Sequence, residues 1–196
     1  FYNFELREND KTLKVDSMYF FSDLIGKERS FKIESEFFNA GIRGDFVPSR
    51  LLMDVADFVS EHRMYFETTE DERNAYYTRK KETRDYSTDS YGSVFSVRFN
   101  RPAPFFDFFA PAVYVSKNTY INGRYAAGLT NTLEISGNTD TLSVQGNEFY
   151  TTFFDYYATK EILSPTVVNK IRIKSDKQKT GNNVLTEELV VNANWE

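Results

Sequence analysis

The chain contains no cysteine, a single histidine and a single tryptophan among its 196 residues. Without cysteine there can be no disulfide, no thiolate nucleophile and no zinc–thiolate centre. That lack suits a cytosolic and a periplasmic protein alike and decides neither. His62 has no second histidine or thiol to complete a metal or nucleophile arrangement, and it falls on an amphipathic stripe. It reads as a packed side chain rather than a catalyst. Long apolar runs are missing too. No stretch approaches the ~18 residues of a membrane-spanning helix, and the mean hydropathy is −0.53. No signal peptide opens the sequence at Phe1. The chain reads as an internal or processed fragment, so that absence says little about compartment.

An excess of positive charge is also lacking. Twenty-four Lys and Arg face 29 Asp and Glu, a net charge of −5. This argues against a nucleic-acid partner, whose affinity rests on phosphate neutralisation. The one basic cluster, Arg79 to Arg84, sits among Glu70, Asp71, Glu72 and Asp85 and reads as a solvated segment. No phosphate loop or dinucleotide fingerprint occurs. "DYSTDS" at 85–90 lacks the glycine and distal glutamate of a calcium loop. Glu34 with Glu36 and Glu187 with Glu188 are carboxylate pairs, but Glu34 and Glu36 share a polar strand face and nothing indicates an enclosing pocket. "RGD" at 43–45 falls within a strand, with Gly44 inward. The expectation is a non-enzyme with no cofactor and no metal.

What is abundant is aromatic area: 19 Phe and 13 Tyr. Such residues favour strands and need a surface to lie against. Most segments alternate with period two. Phe31 and Ile33 share a face with Phe37, opposite Lys32, Glu34 and Glu36. Parity flips at Phe37–Phe38, a mark of a bulge or tight bend, and Phe38, Ala40, Ile42, Gly44 and Phe46 continue. Pro48 then stops the strand, and Ser49 is placed to cap a helix. Leu51, Leu52, Val55, Phe58, Val59, His62, Tyr65 and Phe66 recur at helical spacing, which predicts an amphipathic helix over 50–66. Residues 67–91 read as a polar insertion or loop, with a weak helical pattern around "DERNAYYTRKK". Alternation resumes at Phe95, Val97 and Phe99. "PAPFFDFFAP" has room for one helical turn. Further strands carry Ile121 and Tyr125, Leu133 and Ile135, Leu142 and Val144, Ile171 and Ile173, and Leu189 and Val191. Gly137–Asn138, Gly146–Asn147 and 180–183 supply turn signals. The pattern is mostly β and antiparallel. Alternation leaves a sandwich, a barrel and an open curved sheet all standing.

Three stretches go further: "FNAGIRGDF" before the helix, "FFAPAVYVSKNTYINGRY" followed by a short "LEI" strand, and "IRIKSDKQ" leading to "EELVVNANW". In this order they resemble the TamB family, specifically its Bacteroidota-type, AsmA-like members. The resemblance spans most of the chain and includes no catalytic motif. It implies one internal segment of a longer, repetitive β protein, anchored in the inner membrane of a Gram-negative bacterium and spanning the periplasm. The implied fold is a curved antiparallel sheet, a β-taco with an open groove, carrying one helical insertion near 50–66. The implied work is conduction of phospholipid toward the outer membrane and support of outer-membrane protein assembly. The implied partner is an Omp85-family barrel, engaged through parts outside this segment.

On that expectation the groove is lined by Phe31, Ile33, Phe37, Ile42, Phe46, Phe95, Val97, Ile121, Tyr125, Leu133, Ile135, Leu142, Val144, Ile171, Ile173, Leu189 and Val191. Gly44 and Gly123 then clear space on the inward face. Three rivals stand beside it. One is a scaffold that binds extended polypeptide by strand addition. Another is a secreted β-sandwich binding glycans on Tyr76, Tyr77, Tyr156 or Tyr157. The third is a piece of an outer-membrane barrel.

Overall fold

The computed structural model describes residues 1–83, 90–181 and 184–195. Eleven strands form one antiparallel sheet. They are β1 (Tyr2–Glu8), β2 (Lys11–Ile25), β3 (Glu28–Ser35), β4 (Phe38–Gly44), β5 (Tyr91–Phe99), β6 (Val113–Val115), β7 (Tyr120–Ala127), β8 (Thr130–Val144), β9 (Asn147–Glu161), β10 (Val167–Thr180) and β11 (Val184–Trp195). The spatial order is β1-β2-β3-β4-β5-β7-β8-β9-β10-β11, with β6 beside β8. The sheet is a meander interrupted twice. Helices α1 (Pro48–Glu67) and α2 (Glu70–Thr83) intervene between β4 and β5, and α3 (Pro102–Phe109) precedes β6. β1 and β11 are the two edges, and the sheet does not close on itself. One open sheet is neither a sandwich nor a barrel, so the sandwich expected of the glycan-binding rival is not formed.

Strand register sorts the side chains into two faces. On the first, three rows run across the strands. Leu24, Arg29, Gly44, Ser93, Tyr125, Leu133, Ala158, Asn169 and Trp195 make one row. Ser22, Phe31, Ile42, Phe95, Gly123, Ile135, Tyr156, Ile171 and Ala193 make the next. Phe20, Ile33, Ala40, Val97, Ile121, Gly137, Phe154, Ile173 and Val191 make the third. The opposite face carries Lys32, Arg43, Arg98, Arg124, Glu134, Asp155, Lys170 and Arg172. This is the apolar-in, polar-out alternation of a sheet covered on one side.

Helix α1 lies on the apolar face. Leu51 and Phe58 pack with Phe46, Tyr125, Ala127 and Ala158, and Phe31, Ile42, Val55, Tyr91, Leu133 and Tyr156 close around them. The far end of the helix reaches the last strand, where the Phe66 and Trp195 rings lie 6.4 Å apart. The helix begins at Pro48 with Val47 in the capping position and no side-chain cap. Ser49 is therefore inside the first turn and is not the cap the sequence suggested. Proline at the first position loses nothing, because its amide would have no partner there anyway.

The segment expected as a loop over 67–91 is mostly helix. Thr69 and Glu72 form a capping box: Glu72 accepts from the Thr69 amide and hydroxyl, both at 2.9 Å. Glu70, Asp71 and Glu72 stand in the first turn of α2 and Lys80 and Lys81 in its last, the polarity the helix dipole favours. The apolar pattern was too thin to reveal this helix, since it packs chiefly through tyrosines and an ion pair. The "DYSTDS" stretch and Arg84 lie almost entirely outside the described residues.

A fault line crosses the sheet. Pairing lapses for one residue on both strands at Asn3/Asp16, Asp140/Thr151, Thr151/Asp176 and Asp176/Glu188. Asn3, Thr151 and Glu188 have φ of 49°, 48° and 55°. The Asp16 amide turns to the Glu36 carboxylate instead of a strand. Across this line the buried parity switches. On β2 the buried Leu13 and Val15 give way to Met18 in the same cluster. On β10 Ile173 and Ser175 give way to buried Gln178. Unpaired residues of this kind bend strands and increase twist. Beyond the line only β1, the start of β2, β6, and the near ends of β8 to β11 continue, and α3 contacts β2 and β6. Phe108 closes the gap there with Leu13, Val15 and Phe37.

Candidate functional site: the apolar face

The expected groove residues do share one face, but they divide into three environments. Phe46 and Tyr125 are core residues beneath α1, and Phe31, Ile42 and Leu133 pack against the same cluster. These five belong to the core that α1 covers. Phe37 is 2% exposed in the cluster with Phe108. It leaves β3's face because β3 ends at Ser35, whose hydroxyl accepts from the Phe38 amide in a tight connection. The parity flip at Phe37–Phe38 is thus a bend, and Phe37 is a correction to the lining. Leu142 and Val144 lie beyond the fault line and pair with Val115 and Val113. Leu189 sits at the line, opposite Ser175.

Phe95, Ile135 and Ile171 are half-buried in the middle row. Ile33, Val97, Ile121 and Ile173 are half-buried in the row beyond it, and Val191 is 39% exposed. That outer row, from Phe20 to Val191, crosses nine strands without a charged side chain. At ~4.8 Å per strand it is roughly 38 Å long. Two places on this face, one in the middle row and one in the outer, are shaped by glycine. A Cβ on Gly123 would sit 2.2 Å from the Glu134 carbonyl and 2.5 Å from the Phe95 ring; one on Gly137 would sit 2.6 Å from the Phe154 ring. Phe95 and Phe154 are their cross-strand neighbours. Each ring reaches over a bare backbone, a way to fill a glycine's space. Gly44 differs, for a Cβ there meets the Gly92 carbonyl at 2.0 Å. It permits close approach of β5.

Beside this face lies a feature the sequence did not disclose. Glu61 of α1 is 5% exposed and bridges two buried cations. Lys160 of β9 approaches it at 2.6 Å, and Lys80 of α2 pairs with its other oxygen. The Tyr76 hydroxyl donates to Glu61 at 3.1 Å. Burial would raise the Glu61 carboxyl, but hydrogen bonds from Lys160 and Lys80 outweigh it and hold it below the usual range. Burial pulls Lys160 down, partly offset by Glu61. The carbonyls of Glu161 and Ser164, at 3.0 and 2.9 Å, and the Tyr77 ring, at 4.4 Å, also hold the Lys160 ammonium. The trio locks both helices onto the sheet. His62 stands next to it, its Nδ1 2.7 Å from the Phe58 carbonyl, and burial lowers its pKa. Among the described residues no cluster of three or more His, Cys, Asp or Glu suits a metal. Among the described residues no helix is long and apolar enough to cross a membrane.

No protein-family model, curated protein or solved structure matches this chain.

Proposed function

We propose that this chain is a segment of a TamB-like, periplasm-spanning protein whose apolar sheet face conducts phospholipid toward the outer membrane and supports outer-membrane protein assembly. The observation that carries the reading is the uncharged row from Phe20 to Val191 on an open sheet. An acyl chain leaving a bilayer loses ~0.8 kcal/mol per CH₂ to water, and an apolar path across successive strands offsets that loss while the head group stays in solvent. No residue acts chemically in this scheme. The Omp85-family partner would be met by other parts of a longer protein.

Helix α1 refines the mechanism. It packs on the apolar face rather than outside the sheet and closes one side of the path over Tyr125 and Leu133. Acyl chains are therefore assigned to the strip that includes Ile33, Val97, Ile121, Phe154 and Ile173. The test is native mass spectrometry after gentle purification and exposure to phosphatidylethanolamine vesicles. Phospholipid adducts are expected, and Ile121→Asp with Ile173→Asp should abolish them in a protein that keeps its far-UV spectrum. A wild-type protein that acquires no lipid overturns the proposal.

One observation favours the strand-addition reading. The outer edge of β2 past Ser17 has no strand beside it, and Phe20, Phe21, Leu24 and Ile25 are 44–81% exposed. An unprotected apolar edge of this kind templates further pairing. Under that reading Phe21→Lys with Ile25→Lys blocks capture of an unfolded outer-membrane protein, whereas Ile121→Asp does not.

A further inference from the structure

Three concavities lined by described residues open along the polar face of the sheet. A cleft of about 720 Å³ is lined by the side chains of Asn122, Arg124, Glu134, Asp155, Tyr157 and Arg172, among others. A second of about 460 Å³ shares Val94 and Asn122 with it and extends to Lys32 and Arg43. A third of about 470 Å³ joins both through Val94 and Arg43 and reaches Glu28. Together they form one trough between two side-chain rows, crossing from β3 to β11. Seven strand spacings make it roughly 34 Å long. The twist of an open sheet produces such a saddle, and here α1 occupies the other face.

The trough's charge runs against that of the chain. Lys32, Arg43, Arg124, Lys170 and Arg172 face Glu28, Glu134 and Asp155, an excess of two cations in a protein of net charge −5. Arg124 pairs with Glu134 at 2.6 Å. Among the described residues Lys32, Arg43, Lys170 and Arg172 form no ion pair. Lys170 lies 5.9 Å over the Tyr157 ring instead. Asn122, Asn192, Asn194 and Ser136 supply amides and a hydroxyl that donate and accept.

We infer that this trough is a second binding site, for an extended polysaccharide bearing carboxylates. The cations stand on β3, β4, β7 and β10, at intervals of roughly 5, 10 and 14 Å, and such separated charges suit an extended polymer whose sugars carry carboxylates at intervals. They are too sparse for duplex DNA, which carries one charge per ~1.7 Å. Amides that both donate and accept suit hydroxyls, and Tyr157 offers a half-exposed ring on which a sugar face can rest. The site is independent of the lipid path, because the two lie on opposite faces.

The test is isothermal titration of the purified protein with polygalacturonate, with dextran, polyglutamate and single-stranded DNA as comparators. Binding to polygalacturonate alone is expected. Tyr157→Ala and Arg172→Glu should each weaken it at least tenfold. Lys14→Glu, an exposed charge outside the trough, should leave it unchanged. Because both trough side chains project away from the helices, unchanged melting temperatures will accompany the loss. No binding, equal binding to polyglutamate or DNA, or equal weakening by Lys14→Glu overturns the inference. Phospholipid adducts bear on the other face alone.

Discussion

Gly123 shows how one missing side chain organises its neighbours. Neither its turn geometry nor its φ demands glycine; the Phe95 ring and the Glu134 carbonyl do. Gly123→Ala should cost about 2 kcal/mol in urea denaturation, since the carbonyl belongs to the ladder and cannot yield. Gly92→Ala, where an added Cβ meets nothing within 4 Å, should change little and serves as the control. The buried trio makes a second residue-scale case. Glu61→Ala leaves two buried lysines without their anion and should cost about 3 kcal/mol or more. Its pH dependence follows from the direction of the shift. A carboxyl whose folded pKa is lowered stabilises fully above its unfolded value, here 4.5, and loses that contribution as pH falls through the folded value. His62, also lowered, adds to the acid loss from about pH 6.5 downward, because the unfolded state takes up that proton more readily. Wild-type melting temperature should therefore fall from pH 7 to pH 4, and Glu61→Gln should flatten the part of the curve below 4.5.

The helices can be tested at their ends. Val47 holds extended backbone at the α1 cap position, is 59% exposed, and offers the free amides no acceptor. Val47→Asp should stabilise the protein by about 1 kcal/mol, read as a raised melting temperature. Thr69→Ala removes half of α2's capping box and should cost a similar amount. The α2 box was legible as Thr-x-x-Glu at 69–72, with acids first and bases last, yet the segment's thin apolar pattern hid it. The α1 stripe was legible because Leu51, Val55 and Phe58 recur at helical spacing and must meet a surface. Which surface was not legible. Period alone says that a face is buried and is silent about what covers it. The same holds for "PAPFFDFFAP", read as one turn. Its eight-residue helix exists because the sheet leaves a gap between β2 and β6 that Phe108 fills.

For the whole molecule, both proposals rest on the openness of the sheet. A sheet closed on itself or clamped to a second one would offer no face to a ligand, whereas this one presents an uncharged row on one side and a cationic trough on the other. The two proposals make separable predictions. Raising salt from 50 to 500 mM should weaken polygalacturonate binding several-fold, through screening of exposed cations, and leave lipid adducts unchanged. Ile121→Asp should do the reverse. A single substitution that abolishes both would show that the effect is on the fold and not on either site.

The sequence by itself determined the strands, the polarity of their two faces and the position of the first helix. Alternation and helical spacing are local consequences of backbone geometry, and Ile33, Ala40, Val97, Ile121, Ile173 and Val191 were placed on their face that way, whereas Gly137, read as a turn, lies within β8. Tertiary structure alone decided which of those apolar residues stay open. Phe46 and Tyr125 have the same pattern as Val97 and Ile121, but α1 lies over the first pair and not the second. It also decided the fault line, where Asn3, Thr151 and Glu188 step out of register together. Such a line is a cooperative property of adjacent strands, and no single strand's sequence carries it. The union of Glu61, Lys80 and Lys160 is of the same kind: three ordinary charges, far apart along the chain, made necessary to one another by shared burial.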